Sequence, residues 1–277
     1  MIIVDTALGK RLAAGNPVRV ALVAAGYMGR GIALQIISAN PGMRLAAIAN
    51  RTVGQAERAY REAGVNEIRA VPSAAQLEKA MTDGAFAVTD DPTVVCRARG
   101  IEAVIETSGD VEFGARVALE AVKNGKHVIL MNAEVDAAVG PILKVHADRS
   151  GAVYTYTDGD EPGVAMNLYR FVDSIGYKPV MMGQIKGFLN RYRNPDTQRE
   201  FAEKHRQKAA MVASFADGSK LALESAIMGN ATGFKPAKLG MHGHECKHVK
   251  DLLQLFKPED FRNGGIVDFV LGAEPHT

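Results

Sequence analysis

The stretch from Val18 to Thr52 constrains the fold more than any other part of this chain. Val18-Arg19-Val20-Ala21-Leu22-Val23-Ala24 is a short apolar run that breaks into Gly26-Tyr27-Met28-Gly29-Arg30-Gly31. Ile32 to Ile37 follows with helical spacing, Asn40-Pro41-Gly42 is a turn, and Arg44 to Ala49 is a second apolar run ending in Asn50-Arg51-Thr52. Strand, turn, helix, turn and strand within about 30 residues is the length of a βαβ unit, whose strands are parallel and whose crossover is right-handed.

The alternation continues. Helical patterns at Gln55–Ala63, Ala74–Met81, Val111–Asn124 and Val139–Ser150 interleave with strand-like runs at Ile68–Val71, Phe86–Thr89, Ala103–Thr107 and Lys126–Met131. The reading is an α/β protein: an N-terminal Rossmann doubly wound parallel sheet over residues 1–152, then a second, smaller α+β domain over 153–277. In that second part the strand candidates are Val153–Thr157, Val180–Ile185, Met211–Phe215, Leu221–Ala226 and Gly265–Gly272, with a helix over Val164–Ser174.

Apolar residues make up 47% and charged residues 23%, so the chain can bury a core of ordinary size. A net charge of +2, no tryptophan and no basic run interleaved with aromatics argue against nucleic acid. No apolar stretch reaches the roughly 18–20 residues that span a bilayer. The two cysteines, Cys96 and Cys246, are far apart and read as reduced thiols. A cytoplasmic protein acting on a small molecule, with no membrane partner, is the simplest expectation.

A dinucleotide-binding turn needs glycine where the chain turns tightly and where backbone approaches the pyrophosphate. Gly26-Tyr27-Met28-Gly29 supplies the second and third glycines, while Ala24 stands in the place of the first. The second strand ends in Asn50-Arg51-Thr52 rather than in Asp or Glu. A carboxylate there would accept from the ribose 2′-OH of NAD and repel a 2′-phosphate. Arg51 can instead pair with the phosphate, so NADP(H) is favoured over NAD. Thr107-Ser108-Gly109 and Asn132, at two further strand ends, complete the candidate cofactor set. Ser108 or Asp110 is equally suited to cap the next helix.

Acid–base candidates cluster at strand ends. Asp158-Gly159-Asp160-Glu161-Pro162-Gly163 is the densest acidic segment. Asp158, Asp160 and Glu161 suit three roles: ligands for Mg²⁺ or Mn²⁺, partners for a substrate ammonium, or caps for the helix after Pro162. Lys186 begins a basic segment and suits a general acid, with Asp160 and Glu134 as the other candidate catalytic groups. Asn190 and Arg193 suit substrate binding. His242, His244, Cys246 and His248 alternate, which in an extended chain puts all four on one face. Of these His242 is the candidate substrate contact, and a zinc site is disfavoured.

Taken together, Ala25–Gly31, Ala49–Thr52, Met131-Asn132-Ala133-Glu134, Thr157–Gly163 and Met241-His242-Gly243 resemble the homoserine-dehydrogenase-like oxidoreductases, whose longer members carry a C-terminal SAF domain. One branch is the deoxyxylulose-phosphate-reductoisomerase-like enzymes of isoprenoid biosynthesis. The resemblance implies an NADP(H)-dependent enzyme acting on a small polar carbonyl or alcohol, a homo-oligomer, and a chain shorter than its SAF-containing relatives. For the reductoisomerase branch it also implies an acidic metal site. Where homoserine dehydrogenases follow the asparagine with lysine, this chain has Ala133 and Glu134. A cofactor-binding regulatory module without turnover is the rival reading.

Overall fold

The computed structural model describes residues 4–261 and 264–274, and the chain divides into two units, residues 1–156 and 157–277. The first unit opens on a helix, α1 (Val4–Ala13). It then alternates β1 (Val18–Val23), α2 (Tyr27–Ala39), β2 (Met43–Ala49), α3 (Val53–Glu62), β3 (Ile68–Ala70), α4 (Ala74–Thr82), β4 (Phe86–Thr89) and α5 (Pro92–Arg97). The second winding is β5 (Ala103–Glu106), α6 (Val111–Lys123), β6 (His127–Leu130), α7 (Ala133–Ser150) and β7 (Tyr154–Tyr156). The strands form one parallel sheet in the order β3-β4-β2-β1-β5-β6-β7.

This is the Rossmann doubly wound arrangement. The chain winds outward from β1 through β2, then returns to the other side at β5, so the crevice of the sheet opens beyond the carboxyl ends of β1 and β5. The apolar runs are continuous because helices cover both faces. Val20 and Leu22 enter one core with Ala33, Ile36 and Tyr60, while Ala21 and Val23 enter the other with Leu77, Val104 and Leu130. Strand β7 completes this sheet, which carries the first unit as far as Tyr156.

The second unit is smaller. It contains α8 (Glu161–Ser174), β8 (Met181–Lys186), α9 (Arg199–Lys204), α10 (Ala209–Asp217), α11 (Ser219–Thr232), β9 (His244–Glu245), α12 (Leu252–Leu255) and β10 (Ile266–Leu271). Its three strands run parallel in the order β8-β10-β9. Met182, Met228 and Val267 form its core, with Ala165, Met166, Tyr169 and Phe234 packed against them.

Two strand expectations are corrected here. Met211–Phe215 lies in α10 and Leu221–Ala226 lies in α11. Alanine in both stretches, joined by methionine in the first and leucine in the second, favours helix, and Gly218 and Gly233, at φ +95° and +76°, bracket α11 with left-handed turns. The segment from His242 to His248 forms a strand only at His244–Glu245, because Gly243 adopts φ +62° and His248 caps a 3₁₀ turn. Among the described residues no helix is long and apolar enough to cross a membrane.

Candidate functional site

Each unit carries a candidate site of its own. In the first, the turn between β1 and α2 is shaped by close approach. A Cβ on Gly29 would lie 2.3 Å from the carbonyl oxygen of Ala24 and 3.1 Å from Thr107 Oγ1, so only glycine fits. Ala24 itself takes φ +75°, a left-handed conformation that costs an alanine roughly 1–2 kcal/mol and that glycine would adopt freely. Thr107 Oγ1 holds the turn by donating to the carbonyls of Val23 (2.9 Å) and Ala24 (3.0 Å). Asn50 holds it from the other side: its Oδ1 accepts from the Ala25 amide at 3.0 Å, and its Nδ2 donates to the Thr52 carbonyl at 2.8 Å.

Helix α2 begins at this turn with Gly26 as N-cap and no side-chain cap, and its first turn holds no acidic residue. The amides of Tyr27, Met28 and Gly29 therefore lack intrahelical acceptors, and the positive end of the helix faces outward. Arg51 is exposed at the end of β2, where Thr52 is the N-cap of α3.

Asn132, a candidate cofactor contact, has its side chain engaged within the first unit. It is buried and caps α7 by accepting from the Val135 amide at 3.2 Å. Its Nδ2 donates to Glu106 Oε2 (2.9 Å) and the Asp110 carbonyl (3.1 Å), so the side chain is used within the protein. Glu106, fully buried, also accepts from the Ser108 amide at 2.8 Å. Burial pushes its carboxyl up from the usual range, against the hydrogen bonds from Ser108 and Asn132 that favour the anion. These contacts tie the loop after β5, including Gly109 at φ +72°, to the start of α7. Asp110, not Ser108, caps α6, accepting from the Phe113 amide at 2.8 Å. Glu134 lies half-buried in the first turn of α7.

In the second unit, the end of β8, the start of α8 and one face of α11 bring five charged side chains together. Lys186 Nζ donates to Glu161 Oε1 at 2.7 Å and lies 3.6 Å from Glu224 Oε2. Lys220 Nζ lies 3.3 Å from Glu224 Oε1 and 3.6 Å from Asp160 Oδ2. Glu224 is fully buried between the two ammonium groups, and neither of its oxygens has a hydrogen-bond partner. Burial, then the charge of Glu161, push its carboxyl up to about 7, although Lys186 and Lys220 pull the other way. Burial also works to raise Glu161, but its hydrogen bonding with Asp160 and Lys186, together with the Lys186 charge, outweighs it and holds that carboxyl low, at about 2.

Lys220 and Glu224 were missed in the sequence because Leu221–Ala226 reads as a strand. Four residues apart, they share a face only in a helix. Asp158 stays outside the cluster and accepts from Asn167 Nδ2 at 2.9 Å. Asp160, Glu161 and Glu224 do fall within 4.8 Å of one another, the spacing of a metal triad. That donor set does not fit a divalent ion, because Lys186 and Lys220 already supply the counter-charge and would stand as like-charged neighbours of the ion.

Asn190 and Arg193 build the loop after β8. Asn190 Oδ1 accepts from the Tyr192 amide, Arg193 stacks 5.7 Å from the Phe188 ring centroid, and Arg193 Nε is buried without a partner. His242 is bound to the sheet instead of to this cluster. Its Nδ1 lies 2.7 Å from Asp268 Oδ2, and fully buried Asp268 also accepts from the amides of His242, Gly243 and Phe269. The ring stacks on His244 at 5.2 Å, edge-on to Phe256.

Residues 159–277 match the sequence family described as oxidoreductase DRL, catalytic domain. No curated protein matches the chain. Among solved structures, myo-inositol 2-dehydrogenase from Lactobacillus plantarum is similar at 14% identity over 80% of this chain and 58% of that one, with a TM-score of 0.46. A homoserine dehydrogenase from Thiobacillus denitrificans is similar at 21% identity over 57% of this chain and 34% of that one, TM-score 0.43. Biliverdin reductase from Synechocystis, in complex with biliverdin and NADP⁺, is similar at 15% identity over 63% and 48%, TM-score 0.40. This chain thus spans about half the length, or less, of these structures. The C-terminal unit, with its buried lysine–carboxylate cluster, is the part that matches an oxidoreductase catalytic domain.

Proposed function

We propose that this chain is an NADP(H)-dependent oxidoreductase that interconverts a small polar carbonyl and its alcohol, homoserine-dehydrogenase-like in its chemistry. The observation that carries the reading is Lys186, a largely buried ammonium bonded to Glu161 and 3.6 Å from an acid poised near neutrality, inside the segment that matches an oxidoreductase catalytic domain. The glycine turn fits a dinucleotide: its unpaired amides and helix end suit a pyrophosphate, and the space beside Gly29 is too tight for any side chain. Arg51 suits a 2′-phosphate.

A bound nicotinamide supplies or accepts the hydride. The chain must then move one proton at the substrate oxygen. In reduction, Lys186 donates its proton as the carbonyl oxygen takes on charge, leaving a neutral amine, and in oxidation it takes the proton back. Glu161 holds the Lys186 ammonium in place. Glu224, protonated near neutral pH, returns the proton to Lys186 and leaves a carboxylate beside Lys220, which stabilises it. Asp160, held near Lys220, keeps that second ammonium in position.

The test is NADPH oxidation by the purified protein with aspartate semialdehyde and with deoxyxylulose phosphate, each with and without Mn²⁺. The reading predicts turnover that needs no metal. Metal-dependent turnover of the sugar phosphate alone would transfer Asp160, Glu161 and Glu224 to a metal site and make the enzyme reductoisomerase-like. NADPH binding without turnover of either would favour the regulatory module.

A further inference from the structure

Glu106, the last residue of β5, is a fully buried carboxylate that the chemistry at Lys186 does not use. Its two oxygens meet two donors that cannot turn away. Oε1 accepts from the Ser108 backbone amide at 2.8 Å. Oε2 accepts from Asn132 Nδ2 at 2.9 Å, and the Asn132 amide is fixed in that sense because its Oδ1 caps α7 at Val135. Helix α6 packs close on the pair through Gly114, where a Cβ would lie 2.8 Å from Glu106 Oε2 and 2.9 Å from Asn132 Nδ2.

The titratable groups around Glu106 are acids. Asp110 and Glu112 open α6, Glu134 and Asp136 lie in the first turn of α7, and Tyr154 of β7 donates to Asp136 at 3.0 Å. At this end of the sheet β1 and β6 bring only apolar side chains, Val23 and Leu130. Among the described residues no Lys or Arg pairs with Glu106, and a charge buried without a cation is costly. The starts of α6 and α7 favour a negative charge beside them. Only the anion accepts well at both oxygens. A protonated carboxyl or an amide offers one good acceptor and gives up one of the two bonds.

The segment held in this way, Thr107–Gly109, borders the crevice beyond the carboxyl ends of β1 and β5. Thr107 follows Glu106 directly. Its amide donates to the Val23 carbonyl at 3.0 Å, and its Oγ1 donates to the Val23 and Ala24 carbonyls of the glycine turn. Resting on the dinucleotide reading of that crevice, we propose that ionised Glu106 is a positioning residue for the cofactor. It fixes Thr107–Gly109 between the glycine turn on one side and the start of α7 on the other. It acts through Ser108 and Asn132, without touching the cofactor itself.

The experiment is calorimetric titration of the whole chain with NADP⁺ from about pH 5.5 to about pH 8.5, for the wild type, Glu106→Gln and Asn132→Asp, with urea unfolding of each as a control. Glu106→Gln sets a donor against Ser108 or Asn132 and should weaken NADP⁺ about ten-fold or more near pH ~8. As the pH falls and Glu106 takes up a proton, wild-type affinity should drop toward that of the variant. The 2′-phosphate titrates in both proteins, so the ratio of affinities is free of it. Asn132→Asp keeps the α7 cap but opposes two carboxylates, which share a proton in acid. Its affinity should therefore be low near pH ~8 and approach the wild type as the pH falls, a test that stands even if Glu106→Gln does not fold. A role in stability alone would lower the unfolding midpoints and leave both affinity ratios flat with pH. Flat ratios, or equal affinity of wild type and Glu106→Gln near pH ~8, would overturn the positioning role while leaving the dinucleotide reading intact. A wild type that binds no NADP⁺ would overturn both.

Discussion

Replacing Glu224 by glutamine keeps its shape and removes its charge, which makes it a direct probe of the buried cluster. In the folded chain burial holds this carboxyl at about 7, against 4.5 for an unhindered glutamic acid. Between those values the folded state keeps a proton that the unfolded state has released. Stability therefore falls as pH rises from about 4.5 to about 7 and is level above that. The gap corresponds to roughly 3 kcal/mol, of which about 2 to 3 kcal/mol develops between pH ~5 and pH ~8. Glu224→Gln has no such proton to lose. Urea unfolding of both proteins across that range should show the variant gaining about 2 to 3 kcal/mol on the wild type as pH rises, at equal m-values. Parallel stability curves would refute the reasoning, because they would mean that Lys186 and Lys220 keep Glu224 ionised throughout.

Three further substitutions test the first unit. Gly29→Val drives a side chain into the Ala24 carbonyl and Thr107 and should weaken NADPH binding about ten-fold or more in a fluorescence titration. Arg51→Ala should weaken NADPH by about 10- to 100-fold and leave NADH almost unchanged, the worth of a charge-assisted phosphate contact. Asn132→Ala removes the α7 cap and a partner of buried Glu106, and should cost about 2 to 4 kcal/mol in chemical denaturation.

The first unit is legible in the sequence because its signals are local. Each strand is a short apolar run, α4, α5 and α6 begin at the capping residues Ser73, Asp91 and Asp110, and the glycine turn sits between the first strand and the helix that follows it. The second unit is not, because period-two and period-3.6 patterns coincide over short apolar stretches such as Leu221–Ala226. Reading that stretch as a strand hid the pairing of Lys220 with Glu224. The acidic segment was conspicuous, but its partners arrive from β8 and α11, 25 and 63 residues beyond Glu161 along the chain. Asn132 looked like a cofactor contact because it ends a strand, yet its neighbours in the fold, Glu106 and Asp110, consume its amide. Helix α1 precedes the first strand without any periodic signal strong enough to mark it.

The account stands on Lys186 as the proton donor of an NADPH-dependent reduction. The direct test measures NADPH binding by fluorescence and NADPH oxidation with a panel of small polar carbonyls, aspartate semialdehyde among them, for the wild type and for Lys186→Met. The account predicts turnover by the wild type, a kcat lower by about 10²- to 10⁴-fold in the variant, and NADPH affinity the same within about two-fold. A Lys186→Met protein that reduces the same carbonyl at the wild-type rate would contradict it, as would a wild type that binds NADPH and reduces none.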